Sequence, residues 1–139
     1  MVKRILLIED EANILEAIAF ILSRDGWEVL GHGKGDTALA EIDRVRPDII
    51  VLDVMLPGRS GFEILRDLRD RAETRHLPVL MLTAKGQARD REQAMALGAD
   101  GFLVKPFSNA ALLDEVRRLA EAGCLPPRPL RVAGPGERG

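Results

Sequence analysis

IVLDVMLPGRSG, residues 50–61, is a run of aliphatic side chains that ends on an aspartate and breaks at Pro57-Gly58. A strand with one face in water alternates apolar and polar residues. This run does not, so it reads as a strand covered on both faces, as in a parallel sheet. Four more short apolar runs, Ile5–Ile8, Glu28–Leu30, Val79–Leu82 and Phe102–Val104, recur along the chain with longer segments between them. Those segments carry the helical period. Ile14, Leu15, Ile18, Ile21 and Leu22 share one face before Gly26, and Ala38, Leu39 and Ile42 form a shorter stripe before Pro47. Phe62, Leu65 and Leu68 follow a Ser60/Glu63 capping box, Ala94 and Leu97 precede Gly98, and Leu112, Val116 and Leu119 follow Ser108 as N-cap. Strand and helix thus alternate. The expectation is an α/β fold, a doubly wound parallel sheet of five strands flanked by five helices.

Bulk properties narrow what such a fold can do. A chain of 139 residues, 46% apolar, can bury one core. Its 20 basic and 22 acidic residues leave a net charge of −2, which argues against nucleic-acid binding by this chain itself. No apolar stretch approaches the roughly 20 residues that span a bilayer, and MVKRILLIEDE turns acidic too early for a secretory signal. No membrane association and a cytoplasmic location are expected. Cys124 is the single cysteine and has only His32 and His76 beside it, so zinc and disulfide chemistry are set aside.

Polar residues gather just past particular strands: Glu9, Asp10 and Glu11 after the first, Asp53 after the third, Thr83 after the fourth, Lys105 after the fifth. In a doubly wound sheet ligands bind beyond the carboxyl ends of the strands, where these residues converge if the second strand lies at the sheet edge. Carboxylates brought together there repel, by roughly 4 kcal/mol per pair at about 4 Å and an effective dielectric near 20. Lys105 offsets part of that. A hard divalent cation held by oxygen ligands offsets the rest, and Mg²⁺ suits because it takes few carboxylates and keeps its waters. A site so neutralised, with a threonine hydroxyl nearby, accepts phosphate oxygens, and Asp53 can then serve as nucleophile.

Four motifs, IEDE at 8–11, IIVLDVMLPGRSG at 49–61, MLTAK at 81–85 and GADGFLVKPF at 98–107, together resemble the receiver domain of bacterial two-component response regulators. The resemblance covers roughly residues 3 to 121. It implies the flavodoxin-like strand order 2-1-3-4-5 of a chemotaxis-regulator-like fold. It also implies that Asp53 accepts a phosphoryl group from a sensor histidine kinase or phosphotransfer protein. Mg²⁺, or Mn²⁺, would be held by Asp10 and Asp53 through carboxylates, by Met55 through its backbone carbonyl, and by Glu9 mostly through water. Thr83 and Lys105 would contact the phosphoryl oxygens, assisted by backbone N–H groups near Val54, Met55 and Ala84. Thr83 and Phe102 would form the switch, and the Lys105–Pro106 peptide bond would be cis. Such a domain is a phosphoacceptor and not an enzyme, apart from catalysing its own phosphorylation and a slow dephosphorylation that Met55 and Lys85 help set.

Taken singly, these residues have plainer readings. Asp10 or Glu11 alone reads as a helix cap, Thr83 as a strand-end hydroxyl, Lys105 as a surface cation and Phe102 as a core aromatic. His32 and His76 read as surface or loop residues, and Trp27 as packing at the start of the second strand. GHGKGDT at 31–37 fits neither common phosphate-loop pattern and follows the wrong strand. The alternative to a signalling module is a metal-dependent phosphohydrolase of similar fold that turns over through Asp53. Those enzymes generally place a second aspartate two residues on as acid and base; here that residue is Met55.

Residues 1–121 are expected to form the receiver, with the Pro/Gly-rich stretch 122–139 as a tail or linker stub, making the sequence as read a stand-alone receiver. Residues 87–119 would form the output face, which binds a downstream protein. In the winged-helix branch of the family this face dimerises through charge pairs, commonly an acidic residue before the switch aromatic and an arginine on the last helix. Here those places hold Gly101 and Glu115, so a monomer or at most a weak homodimer is expected.

Overall fold

The structure, a computed structural model, describes residues 3–84 and 88–123. Its elements alternate as β1 (Arg4–Ile8), α1 (Ala12–Arg24), β2 (Glu28–His32), α2 (Ala38–Val45), β3 (Ile49–Asp53), α3 (Gly61–Asp70), β4 (Val79–Thr83), α4 (Ala88–Ala96), β5 (Gly101–Val104) and α5 (Asn109–Gly123). The strands form a parallel sheet in the order β2-β1-β3-β4-β5, the expected doubly wound arrangement with β2 at one edge.

Every residue of β3 and of β4 is buried, which is why neither alternates in sequence. Even-numbered Leu6, Ile8, Ile50 and Leu52, with odd-numbered Val79 and Met81, face the layer of α2, α3 and α4. Ile5, Leu7, Ile49 and Val51, with Leu80 and Leu82, face α1 and α5. By this alternation Asp53 continues the α1/α5 face of β3 and Thr83 the opposite face of β4. The two side chains therefore approach the end of the sheet from its two sides. Each fully buried aliphatic here contributes about 1.5–3 kcal/mol relative to exposure, so the aspartate is anchored by the strongest part of the core.

The helix ends follow their chemistry. Ser60 Oγ accepts from the Glu63 N–H at 3.3 Å while Glu63 Oε1 accepts from the Ser60 N–H at 3.1 Å, completing the expected capping box. Ser108 Oγ caps α5 through the Ala111 N–H at 3.0 Å. α1 stops before Gly26, whose φ is +95°. Pro47 blocks α2 as expected, but the turn itself is made by Arg46 at φ 53°, ψ 63°. α5 extends through Gly123, past the expected boundary at residue 121; the rest of the expected tail, 124–139 with Cys124, lies outside the described residues, as do Lys85 and residue 87 of the output face.

One strand is longer than its sequence suggests. β2 continues through Gly31 and His32, which pair with Leu7 and Ile8, so His32 is a strand residue. Its side chain bonds the Thr37 hydroxyl at 2.7 Å. Glycine is a poor strand former, yet here a Cβ at Gly31 would stand 2.9 Å from both methyls of Leu15, so packing of α1 selects the residue. His76 is exposed, and Trp27 is half-buried against the α1/α5 core.

Candidate active site

Asp53 closes β3 and is 2% exposed, while Glu9 follows β1 directly and is 1% exposed. Asp10 is exposed beside them. One carboxylate oxygen from each of Glu9, Asp10 and Asp53 lies within 4.8 Å of the other two. The parallel register produces this convergence: β1 and β3 are adjacent, with Ile8 opposite Leu52, so the residues after them meet.

Lys105 enters from the end of β5. Its Nζ donates to Glu9 Oε1 at 2.8 Å and to Asp53 Oδ2 at 3.2 Å. Its backbone N–H donates to the Thr83 carbonyl at 2.7 Å, so the last residue of β4 holds the lysine's main chain. The Lys105–Pro106 bond is cis. The other Asp53 oxygen, Oδ1, accepts from the Met55 N–H at 3.1 Å, and Glu9 Oε2 accepts from the Glu11 N–H at 3.1 Å.

Burial first, then the adjacent Glu9 charge, pushes the Asp53 carboxyl up to about 6 from an ordinary 3.8. The Met55 N–H and Lys105 oppose this without cancelling it. For Lys105 burial pulls the other way, but Glu9 and Asp53 together outweigh it and leave its pKa raised, so it stays a cation. Among the described residues, three carboxylates thus face one ammonium. That donor set, all hard oxygens with an excess of negative charge, fits a small divalent cation.

Thr83 is 2% exposed at the end of β4. Phe102, two register pairs away opposite Met81, is 6% exposed on the α2/α3/α4 side of the sheet, and the Arg91 guanidinium carbon lies 6.0 Å from its ring centroid. Met55 is 58% exposed at the rim. Glu11 takes the N-cap position of α1, but its side chain caps nothing. The structure therefore brings Glu9, Asp10, Asp53 and Lys105 together and sets Thr83 at the adjoining strand end, with Phe102 behind it. Sequence reasoning missed the direct Glu9–Lys105 pair and the Arg91–Phe102 contact. The first had a signal, since a buried carboxylate demands a partner and Lys105 is the one cation expected at a strand end.

Three comparisons with known proteins bear on this geometry. The profile of the response regulator receiver domain matches residues 5–117. The phosphate regulon transcriptional regulatory protein PhoB of Escherichia coli K12 is 39% identical over 117 residues, covering 84% of this chain and 51% of that protein. The sensory transduction protein RegX3 of Mycolicibacterium smegmatis is 38% identical over 119 residues, covering 86% and 51%. The chain spans about half the length of these curated relatives. Among solved structures, the chemotaxis response regulator CheY4 of Vibrio cholerae superposes with a TM-score of 0.80 at 32% identity, covering 86% of this chain and 99% of that one. The receiver domain of the sensor histidine kinase PA1611 of Pseudomonas aeruginosa, solved with a magnesium ion coordinated in the active site cleft, gives a TM-score of 0.79 at 30% identity, covering 87% and 99%.

Proposed function

We propose a role for Asp53 that starts from one established point: this chain belongs to the response regulator receiver domain family of two-component signalling. Asp53 is its phosphoacceptor. The observation that carries this is the position of Asp53, buried at the end of the central strand with Lys105 on one oxygen and two further carboxylates within 4.8 Å. An Asp53 oxygen attacks the phosphorus of a phosphohistidine donor, the P–N bond breaks, and the imidazole nitrogen keeps the electron pair. With its carboxyl at about 6, Asp53 is mostly ionised near pH 7 and needs no base. Lys105, already aimed at the carboxylate, and the Thr83 hydroxyl bind the incoming phosphoryl oxygens.

Glu9, Asp10, Asp53 and the Met55 carbonyl would hold Mg²⁺ or Mn²⁺, which supplies positive charge that neutralises the acidic cluster and the transferred group. The magnesium in the PA1611 receiver domain supports this reading. Thr83 and Phe102 form the switch that carries the phosphorylated state to residues 88–119. The donor is a sensor kinase or phosphotransfer protein, the recipient of the signal a downstream protein, and the setting the cytoplasm. Residues 1–121 act as the receiver unit. A phosphohydrolase reading has no support: the residue two after Asp53 is Met55, which offers no acid or base, so the acyl phosphate persists and is lost only slowly.

Incubation with a small-molecule phosphodonor and Mg²⁺, followed by intact-mass measurement, tests the assignment. One phosphoryl group is expected on the wild type, and none on Asp53→Asn or in the presence of chelator. Equal labelling of the variant would overturn it.

A further inference from the structure

The glycine-rich stretch after β2, which matches no phosphate loop, is packed against the opposite wall of the site. The Gly35 N–H donates to the Pro57 carbonyl at 3.1 Å. A Cβ on Gly35 would fall 2.3 Å from the Arg59 carbonyl oxygen and 3.1 Å from the Arg59 nitrogen and carbonyl carbon. From the other side, a Cβ on Gly58, whose φ is +85°, would meet Cβ and Cγ of Asp36 at 3.3 Å. The two loops are thus pressed together backbone on backbone. The far end of the Met55–Ser60 loop is held as tightly: the Gly61 N–H donates to the Val54 carbonyl at 2.8 Å, and a Cβ there would stand 2.3 Å from the Asp53 carbonyl oxygen. Met55 lies between these two clamps.

We infer that Gly35 is a positioning residue for the metal site, setting through Pro57 and Arg59 where the Met55 carbonyl stands. This rests on the proposed metal ligands. It follows because a side chain at Gly35 meets main chain and not the yielding end of a side chain, so the Pro57–Arg59 segment must move if one is added. Its neighbour provides a contrast. A Cβ on Gly33 would lie 3.8 Å from the Glu9 carbonyl oxygen and 3.9 Å from Asp10 Cα, ordinary contact distances. Two glycines of one loop, two residues apart, therefore make opposite predictions.

Calorimetric titration of Mg²⁺ into the full chain and into Gly35→Ala and Gly33→Ala, with melting temperatures in EDTA, tests this. Gly35→Ala should stay folded and bind Mg²⁺ about tenfold more weakly, as displacement of outer-shell support does elsewhere. Labelling of Asp53 by a small phosphodonor should be slowed in Gly35→Ala at limiting Mg²⁺ and recover at saturating Mg²⁺, a split that general damage to the fold would not produce. Gly33→Ala should match the wild type in both. Wild-type affinity in Gly35→Ala, or equal weakening in both variants, would overturn the inference. A wild type that binds no Mg²⁺ would overturn the proposed metal ligands themselves, and the inference with them. Should Gly35→Ala fail to fold, Gly58→Ala perturbs the Pro57–Arg59 segment directly, through its φ of +85° and the Asp36 side chain 3.3 Å from the added Cβ, and must weaken Mg²⁺ likewise for the inference to stand.

Discussion

Lys105 stands closer to Glu9, at 2.8 Å, than to Asp53, at 3.2 Å, so its ammonium is shared unequally and favours the carboxylate that is not the proposed phosphoacceptor. Asp53 is left under-compensated. Its carboxyl is raised to about 6 by burial and by Glu9, and a carboxyl raised above its unfolded value costs stability wherever it is ionised in the folded state.

The sign of that cost gives the first prediction. Between the ordinary value of 3.8 and about 6 the folded protein binds more protons than the unfolded chain, so the Asp53 contribution to stability falls as pH rises through that window. Asp53→Asn removes the penalty while leaving Lys105 its Glu9 partner. In metal-free buffer at pH 7.5 the variant should be more stable than wild type by about 1–3 kcal/mol, and the gap should close by about pH 4. Urea melts across pH measure it. A gap that stayed constant with pH would show that the carboxyl titrates normally.

Two ion pairs with very different burial provide the second prediction. Arg69 and Asp100 are 8% and 13% exposed in their side chains, and Asp100 Oδ2 also accepts from the Val79 N–H at 2.9 Å at the start of β4. Arg117 and Asp25 pair at 2.6 Å on the surface, with Arg117 54% exposed. Removing one partner of a buried pair strands the other charge, so Arg69→Ala should cost about 3–5 kcal/mol. Arg117→Ala should cost far less, because solvent screens the exposed pair. Equal costs in thermal melts would mean that burial does not decide the matter here.

Much of this was legible in the sequence because the relevant signals are local. Aliphatic runs announce β3 and β4, Ser60 with Glu63 announces α3, and polar residues at strand ends announce the site. What escaped depends on contacts between distant segments. Gly31 looks like the end of a strand until Leu15 is seen to lie against it. Gly35 looks like loop filler until the Arg59 carbonyl is found where its Cβ would be. Nothing local in Arg46 signals a left-handed residue, and only Pro47 after it hints that the helix must stop. The unequal sharing of Lys105 between Glu9 and Asp53 is likewise a matter of tenths of an ångström that no spacing encodes.

The third prediction concerns the coupling of Thr83 to Phe102. α4, which lies over Phe102, buries only Ala94 among its described residues, so it is the helix most easily shifted. Nearly complete switching between two states requires about 5.5 kcal/mol of differential stabilisation. Phosphorylation of the wild type should therefore move amide NMR resonances throughout 88–107. In Thr83→Ala, with Asp53 labelled to the same extent, changes should remain near the site. Distant resonances that move as far in the variant as in the wild type would rule out a route through the threonine.

The last prediction is that the phosphorylated chain stays mainly monomeric at micromolar concentration. In the places where the winged-helix branch of the family carries a complementary acid and arginine, this chain has Gly101 and Glu115. Gly101 is buried, with Glu115 Oε1 standing 2.7 Å from where its Cβ would be. Glu115 is not free to seek a partner on a second copy: Arg118 Nη2 donates to it at 2.8 Å and also to the Asp100 carbonyl at 2.8 Å. The charges on this part of α5 are thus satisfied within the chain, and each would have to give up its bond to form another across an interface. An exposed pair is worth at most about 1 kcal/mol, so the exchange yields little affinity while the register-setting charges are lost. Light scattering with a phosphoryl mimic and Mg²⁺ should report the monomer mass. A dimer that forms only on activation and is broken by Glu115→Ala would show that Glu115 gives up its Arg118 bond for one across an interface, and would overturn this reading.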